Sequence, residues 1–224
     1  PRWSPSPGDA QGTGCAVTAP EQAAGAAVSS ADSADIADVA DVIVLAGGTG
    51  RRLDGVSKPD VVARGARLLD HVLAGVERLR EQGLALGRVC VVAPAEVALP
   101  GGVLRALEDP PLGGPVAGIA AGLALLGRSD PVAELTGILT CDAPFSWRAL
   151  PALHRALLGA GGELDGVCAR DGDHTQYLLG LYHRRALAAA LGALRVTAIP
   201  TPRDVVRDLD TWAEVRAWDA GDSE

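Results

Sequence analysis

From Asp41 onward, short apolar runs of strand length alternate with longer stretches in which apolar residues recur at helical spacing. That alternation is the pattern of a parallel sheet whose crossovers are helices. Asp41 to Ala46 (DVIVLA) predicts the first strand and Arg88 to Ala93 (RVCVVA) the second. Between them Leu69, Val72, Leu73, Val76 and Leu79 fall at i, i+3, i+4, i+7 and i+10, one face of a helix over Leu68 to Gln82 that Gly83 ends. Val103 to Leu107 predicts a third strand, Val116 to Leu126 an Ala/Leu helix, and Gly137 to Cys141 a fourth strand closing at Asp142. Beyond it the pattern predicts a helix over Trp147 to Leu158 and strands over Leu164 to Ala169 and Gln176 to Tyr182, with Arg170 to Thr175 as a polar loop between the two strands. Arg184 to Leu194 is expected to be helical, Val196 to Ile199 a short strand, and Trp212 to Trp218 a terminal helix.

Residues 1–40 break the pattern: Ala, Ser, Gly, Pro and Asp dominate and bulky aliphatics are almost absent. Such a stretch cannot bury enough surface to offset the entropy of ordering and is expected to be a disordered extension. One α/β domain is expected over residues 41–220, in a chain of 224 residues that is 48% hydrophobic but has only one Phe and two Tyr. Its core must therefore be aliphatic, which suits strands covered by helices. With 20 Lys plus Arg against 28 Asp plus Glu, the net charge of −8 repels a polyphosphate backbone and argues against nucleic acid as a partner. Cys15, Cys90, Cys141 and Cys168 form no CxxC pair and read as reduced, packed thiols, and the four His are scattered with no metal spacing. No apolar run approaches bilayer-spanning length and no signal-peptide pattern opens the chain, so the expected location is cytoplasmic.

The chemistry begins where the first strand ends. Leu45 to Pro59 reads LAGGTGRRLDGVSKP. Gly47, Gly48 and Gly50, with Thr49 among them, let the backbone approach a ligand without Cβ obstruction, so amide N–H groups can point at phosphate oxygens. Arg51, Arg52 and Lys58 follow at distances suited to a triphosphate. Two other glycine motifs fail on spacing: Leu53 stands where GxGxxG needs its third glycine, and Gly55 is followed by Val56 where a Walker A loop needs Lys. At the far end of the fourth strand, Asp142 in GILTCDAPF projects at the sheet edge where open α/β proteins bind ligands. A carboxylate there suits Mg²⁺, which takes oxygen ligands and commonly uses one or two protein carboxylates.

Taken together, LAGGxGxRLxGxxKP, the TCDAPF element and the turn Glu108 to Gly118 (EDPPLGGPVAG) resemble the MobA-like nucleotidyltransferases, the family of molybdenum cofactor guanylyltransferase. The resemblance covers roughly Val42 to Trp218. It implies a three-layer α/β/α, Rossmann-like nucleotidyltransferase fold with a mostly parallel central sheet. It also implies Mg²⁺-dependent transfer of a nucleoside monophosphate, GMP from GTP by preference, to a phosphorylated acceptor such as molybdopterin. Within it, Arg52 and Lys58 meet the nucleotide phosphates, Leu45, Ala46, Gly47 and Gly48 approach base and sugar, and Asp109 lies near the ribose or the metal. Asp142 is the metal-binding Asp of the family's DxPF-like element. Asp208-Leu209-Asp210-Thr211 stands where the family has an NxNTPED element that adds metal or phosphate contacts, with both Asn replaced by Asp; an alternative alignment uses Thr201 to Asp204. If Asp208 and Asp210 are alternate residues at a strand end, they share one face. Two other activities stay open, a cytidylyl transfer to molybdopterin and a transfer to a sugar phosphate or isoprenoid precursor, as does a non-catalytic nucleotide-binding protein.

Overall fold

The computed structural model describes residues 39–47, 56–108, 113–128, 131–189 and 196–221; all of the expected N-terminal extension except Val39 and Ala40 lies outside them. Strand β1 (Ala40–Leu45) is followed by a 3-10 turn (Lys58–Asp60) and a small hairpin of β2 (Val62–Ala63) and β3 (Ala66–Arg67). Helix α1 (Leu68–Glu81), β4 (Leu86–Val92), β5 (Leu104–Ala106), α2 (Pro115–Leu126) and β6 (Leu135–Thr140) come next. The second half comprises a 3-10 turn (Ser146–Ala149), α3 (Leu150–Gly159), β7 (Gly166–Asp171), β8 (His174–His183), α4 (Arg184–Ala189), β9 (Val196–Pro200), α5 (Arg203–Val206) and α6 (Trp212–Asp219).

Seven strands form one sheet in the order β5-β4-β1-β6-β8-β7-β9. Neighbours are parallel except where β8 runs antiparallel to β6 and β7, so the expected mostly parallel α/β sheet is present. Successive side chains of a strand point to opposite faces, and β1 uses both. Val42 and Val44 pack into a core with Leu69, Val72 and Val76 of α1 and Leu150 and Leu153 of α3. Ile43 points the other way, into a core with Ile119 and Leu123 of α2 and Leu187 of α4. Helices thus cover both faces of the sheet, which gives the three layers. Glycine sets two of the closest contacts. A Cβ on Gly122 would stand 2.8 Å from Ile43 Cδ1, and one on Gly75 would stand 2.2 Å from Trp147 Cγ.

The pattern of apolar residues located most elements to within one or two residues. The helix expected over Trp147 to Leu158 divides into a 3-10 turn and α3. The polar loop expected over Arg170 to Thr175 is a hairpin tip: β7 and β8 pair as far as Asp171 and His174, and Gly172 turns the chain at φ 54°. Of the helix expected from Arg184 to Leu194, α4 holds Arg184–Ala189, and the rest lies outside the described residues. The β2–β3 hairpin and α5 were not foreseen. The hairpin turns at Arg64 and Gly65, both at positive φ (51° and 78°), the conformation that matches strand twist in a two-residue turn.

Candidate active site

β1 and β6 are parallel neighbours, with β4 and β5 added on the far side of β1, so the connection from β5 back to β6 reverses the direction in which the sheet is built. In open α/β sheets the crevice beyond the strand ends at such a reversal is where ligands bind. Both strand exits are tied together there, because Cys141 N donates to Leu45 O at 3.0 Å. Asp142 emerges from β6 at this point. Lys58 emerges at the start of the 3-10 turn that follows β1, and its Nζ donates to Asp142 Oδ2 at 2.8 Å and to Asp210 Oδ1.

Asp210 comes from 152 residues further along the chain than Lys58, and a small apolar cluster accounts for its arrival. Leu209 is fully buried with Val61, Ala63, Leu68, Val215 and Trp218, and its amide donates to the main-chain oxygen of Asp142 at 2.7 Å. The side chains on either side of Leu209 are therefore directed outward. A capping box completes the fit. Thr211 Oγ1 accepts from Glu214 N, while Glu214 Oε2 accepts from the amides of Asp210 (3.0 Å) and Thr211 (2.8 Å). On the Lys58 side, Arg67 holds the 3-10 turn. It donates to Asp60 at 3.0 Å, to both oxygens of Asp70 at 2.8 and 2.7 Å, and to Ala98 O at 3.0 Å.

Among the described residues, the electrostatics follow from Asp142, Asp208 and Asp210 around the Lys58 ammonium. Burial opposes the charge on Lys58, but Asp142 and then Asp210 outweigh it and hold the ammonium above the usual lysine range. Asp208 keeps a face to solvent. Even so, partial burial, then the charges of Asp142 and Asp210, push its carboxyl up to about 7, with Lys58 acting in the opposite sense. Among the described residues no group of three or more His, Cys, Asp or Glu converges as a ready metal cage. Among the described residues, Asp142 and Asp210 both bond the Lys58 ammonium, while Asp208 acts on that pair through its charge. Two carboxylates fit Mg²⁺, which takes its remaining ligands from water and substrate phosphates.

The structure thus brings together Lys58, Asp142 and Asp210 of the expected set, with Asp208 beside them. Asp208 and Asp210 do not end a strand; they lie in the link between α5 and α6. Of the two C-terminal alignments, only this one reaches Lys58, because Asp204 pairs with Arg148 at 3.5 Å instead. Leu45 is half-buried, Ala46 is buried with its amide donating to Val92 O at 2.9 Å, and Gly47 is exposed at the mouth of β1. Gly48, Thr49, Gly50, Arg52 and Asp109 lie outside the described residues. Sequence reasoning passed over Leu209, Glu214 and Arg67. For Glu214 there was a signal, since Thr211-x-x-Glu214 before a helix is the capping-box pattern. Cys90, Cys141 and Cys168 are buried free thiols, as expected; burial pushes the Cys90 thiol up to about 11 and that of Cys141 well above its ordinary value.

A glycine-rich sequence after β1, a carboxylate paired with Lys58 past the end of β6 and a sheet covered on both faces fit a nucleotidyltransferase-type α/β domain. The chain belongs to the MobA-like NTP transferase domain family, whose model matches residues 42–212. It is 31% identical over 203 residues to a molybdenum cofactor guanylyltransferase of Acidiphilium cryptum (strain JF-5), covering 80% of this chain and 93% of that protein. It is 35% identical over 140 residues to a protein of the same name from Bradyrhizobium sp. (strain ORS 278), a match that covers 62% of this chain and spans 64% of the relative. Among solved structures, molybdopterin-guanine dinucleotide biosynthesis protein A from Archaeoglobus fulgidus matches with a TM-score of 0.58 at 20% identity, over 80% of this chain and 97% of the other. A 4-diphosphocytidyl-2C-methyl-D-erythritol synthase from Anaerococcus prevotii matches with a TM-score of 0.59 at 13% identity, over 84% and 99%. These two likenesses concern the fold alone.

Proposed function

We propose that this chain transfers GMP from GTP to a phosphorylated acceptor such as molybdopterin, with release of pyrophosphate. The observation that carries this reading is the convergence of Lys58, Asp142 and Asp210 beyond the paired ends of β1 and β6. Lys58 and Arg52 would bind the triphosphate, with the amides of Gly47 to Gly50 against its oxygens and Leu45 and Ala46 toward the nucleoside. Asp109 would lie beside the ribose or the cation. Asp142, with Asp210 or Asp208, would hold Mg²⁺, which when bound neutralises charge on the phosphates and lowers the barrier to in-line displacement. Lys58 would exchange its carboxylate partners for phosphate oxygens as nucleotide and cation arrive, leaving Asp142 and Asp210 to the cation. The acceptor phosphate is the nucleophile. It is already largely ionised near neutral pH, so no side chain is needed as a general base.

The test is to incubate the protein with each radiolabelled NTP, Mg²⁺ and candidate phosphorylated acceptors, following pyrophosphate release and the labelled product. GTP-dependent release that disappears in Asp142→Ala is expected. Turnover with CTP in place of GTP would overturn the guanylyl assignment, and binding of nucleotide without release would overturn transfer itself.

A further inference from the structure

At the end of the sheet away from the crevice, polar side chains gather beneath a helix. Among the described residues four buried side-chain atoms have no hydrogen-bond partner: Arg88 Nη1, Thr136 Oγ1, Ser146 Oγ and Arg184 Nη1. Ser146 lies past the crevice end of β6, but the other three belong to one place. Asp41 and the fully buried Thr136 are register partners on β1 and β6, and by strand alternation both face the side of Ile43 and Ile138, under α2. Arg88 grips Asp41 from β4: its amide donates to Oδ1 at 2.8 Å and its Nη2 to Oδ2 at 2.6 Å. Gly87 makes that approach possible, since a Cβ there would stand 2.6 Å from Asp41 Oδ1. Arg184 enters from the end of β8, its amide donating to Glu134 O at 2.7 Å and its Nη2 to Leu123 O in α2. Burial holds the Arg184 guanidinium below its ordinary value; the charge of Asp41 opposes this and that of Arg88 adds to it, so the three groups feel one another. A cavity of about 230 Å³, bordered by Asp41, Gly87, Arg88 and Ala133, lies against the cluster.

We infer that Arg88, Thr136 and Arg184 bind a small monovalent inorganic anion of chloride size. The three unpartnered atoms can all donate: two are N–H groups of guanidiniums that stay charged at physiological pH, and the third is a hydroxyl. Both oxygens of Asp41 are engaged by Arg88. Two guanidiniums against that one carboxylate leave one positive charge, and a buried charge is costly unless it is paired. Glu134 is exposed to solvent, where its charge is screened. An anion accepts a charge-assisted bond from each guanidinium and a bond from the hydroxyl, and so ties β4, β6 and the start of α4 to one ion. Water is the weaker occupant, because it brings two donors of its own into a cluster already rich in donors. The protein screens the three donor atoms from solvent, so the site is closed and excludes sulfate or a nucleotide phosphate.

The experiment is thermal melting of the metal-free and nucleotide-free protein while chloride replaces gluconate, an anion too large for the site, at constant sodium and ionic strength. The wild-type midpoint is expected to rise by about 2–4 °C and to level off as the site saturates. Thr136→Val removes one donor at nearly constant volume and should move the response to about ten-fold higher chloride or more. Arg184→Met should abolish the rise, and Lys58→Met, at the crevice, should keep it. A rise lost in Lys58→Met and kept in Arg184→Met would mean that chloride binds at the crevice, and the inference fails. Crystals of the wild type grown with sodium bromide test the site without any variant: an anomalous peak within hydrogen-bond reach of Arg88 Nη1, Thr136 Oγ1 and Arg184 Nη1 is expected. Water density there with no anomalous peak, or a melting midpoint that follows ionic strength alone, overturns the inference.

Discussion

At the scale of single residues, the described part of the site crowds three carboxylates together beside Lys58. Asp142 and Asp210 share the Lys58 ammonium, and Asp208 stands close enough to feel both negative charges. Asp142→Asn keeps the shape but removes the charge, and Mg²⁺-dependent pyrophosphate release is expected to fall by about 100-fold or more in a steady-state assay, because charge neutralisation dominates phosphoryl chemistry. The apo protein carries a pH signature of the same crowding. The Asp208 carboxyl titrates at about 7 when folded, above its ordinary 3.8. Its ionised form is therefore disfavoured by the fold: the penalty is fully present above about pH 7 and is relieved as pH falls toward 4. Thermal melting without metal should show a higher midpoint at pH 5.5 than at pH 8, and Asp208→Asn should raise the midpoint at pH 8 and flatten the slope. Lys58 stays protonated throughout this window, since its pKa is raised further. A midpoint difference untouched by Asp208→Asn would refute the assignment.

At the scale of elements, a small core governs the site's assembly. The β2–β3 hairpin, the start of α1, and α6 enclose Val61, Ala63, Leu68, Leu209, Val215 and Trp218. This cluster joins the segment that carries Lys58 to the segment that carries Asp210. Arg64 reinforces the joint, with its Nε donating to Trp218 O at 2.5 Å and its guanidinium 4.4 Å from the Trp218 ring centroid. Leu209→Ala leaves a cavity in that core and should cost about 2–5 kcal/mol in chemical denaturation. It should also raise the KM for nucleotide, because Asp210 and Lys58 lose their common anchor. A variant as destabilised as predicted but with unchanged KM would show that the cluster serves stability alone.

At the scale of the whole molecule, the two ends of the central strands do different work. Asp41 is 1% exposed near the opposite end of β1 from the crevice, where it pairs with Arg88 Nη2 at 2.6 Å and accepts from the Arg88 amide at 2.8 Å. Asp41→Ala leaves the half-buried Arg88 side chain and its amide without their acceptor, so it should destabilise by about 1–3 kcal/mol in urea unfolding. Catalytic constants measured well below the unfolding midpoint should stay within about two-fold of wild type, since distant sites behave independently. A large fall in kcat with an unchanged melting point would contradict this division.

How far the sequence reached depends on the range of the forces involved. The strands and long helices were legible because burial on a covered sheet imposes a local period: Leu69, Val72, Val76 and Leu79 mark α1 without knowledge of any neighbour. Asp142 was legible for the same reason, being the first polar residue past an apolar strand. The β2–β3 hairpin was not, since two-residue strands carry no period and its turn places Arg64 at positive φ without the usual Asn. By itself the sequence determined the layered α/β sheet, the glycine-rich exit from β1 and the carboxylate beyond β6. Only the tertiary structure decided that Asp210, rather than Asp204, meets Lys58. That meeting depends on burial of Leu209, an interaction between segments far apart along the chain that no local pattern records.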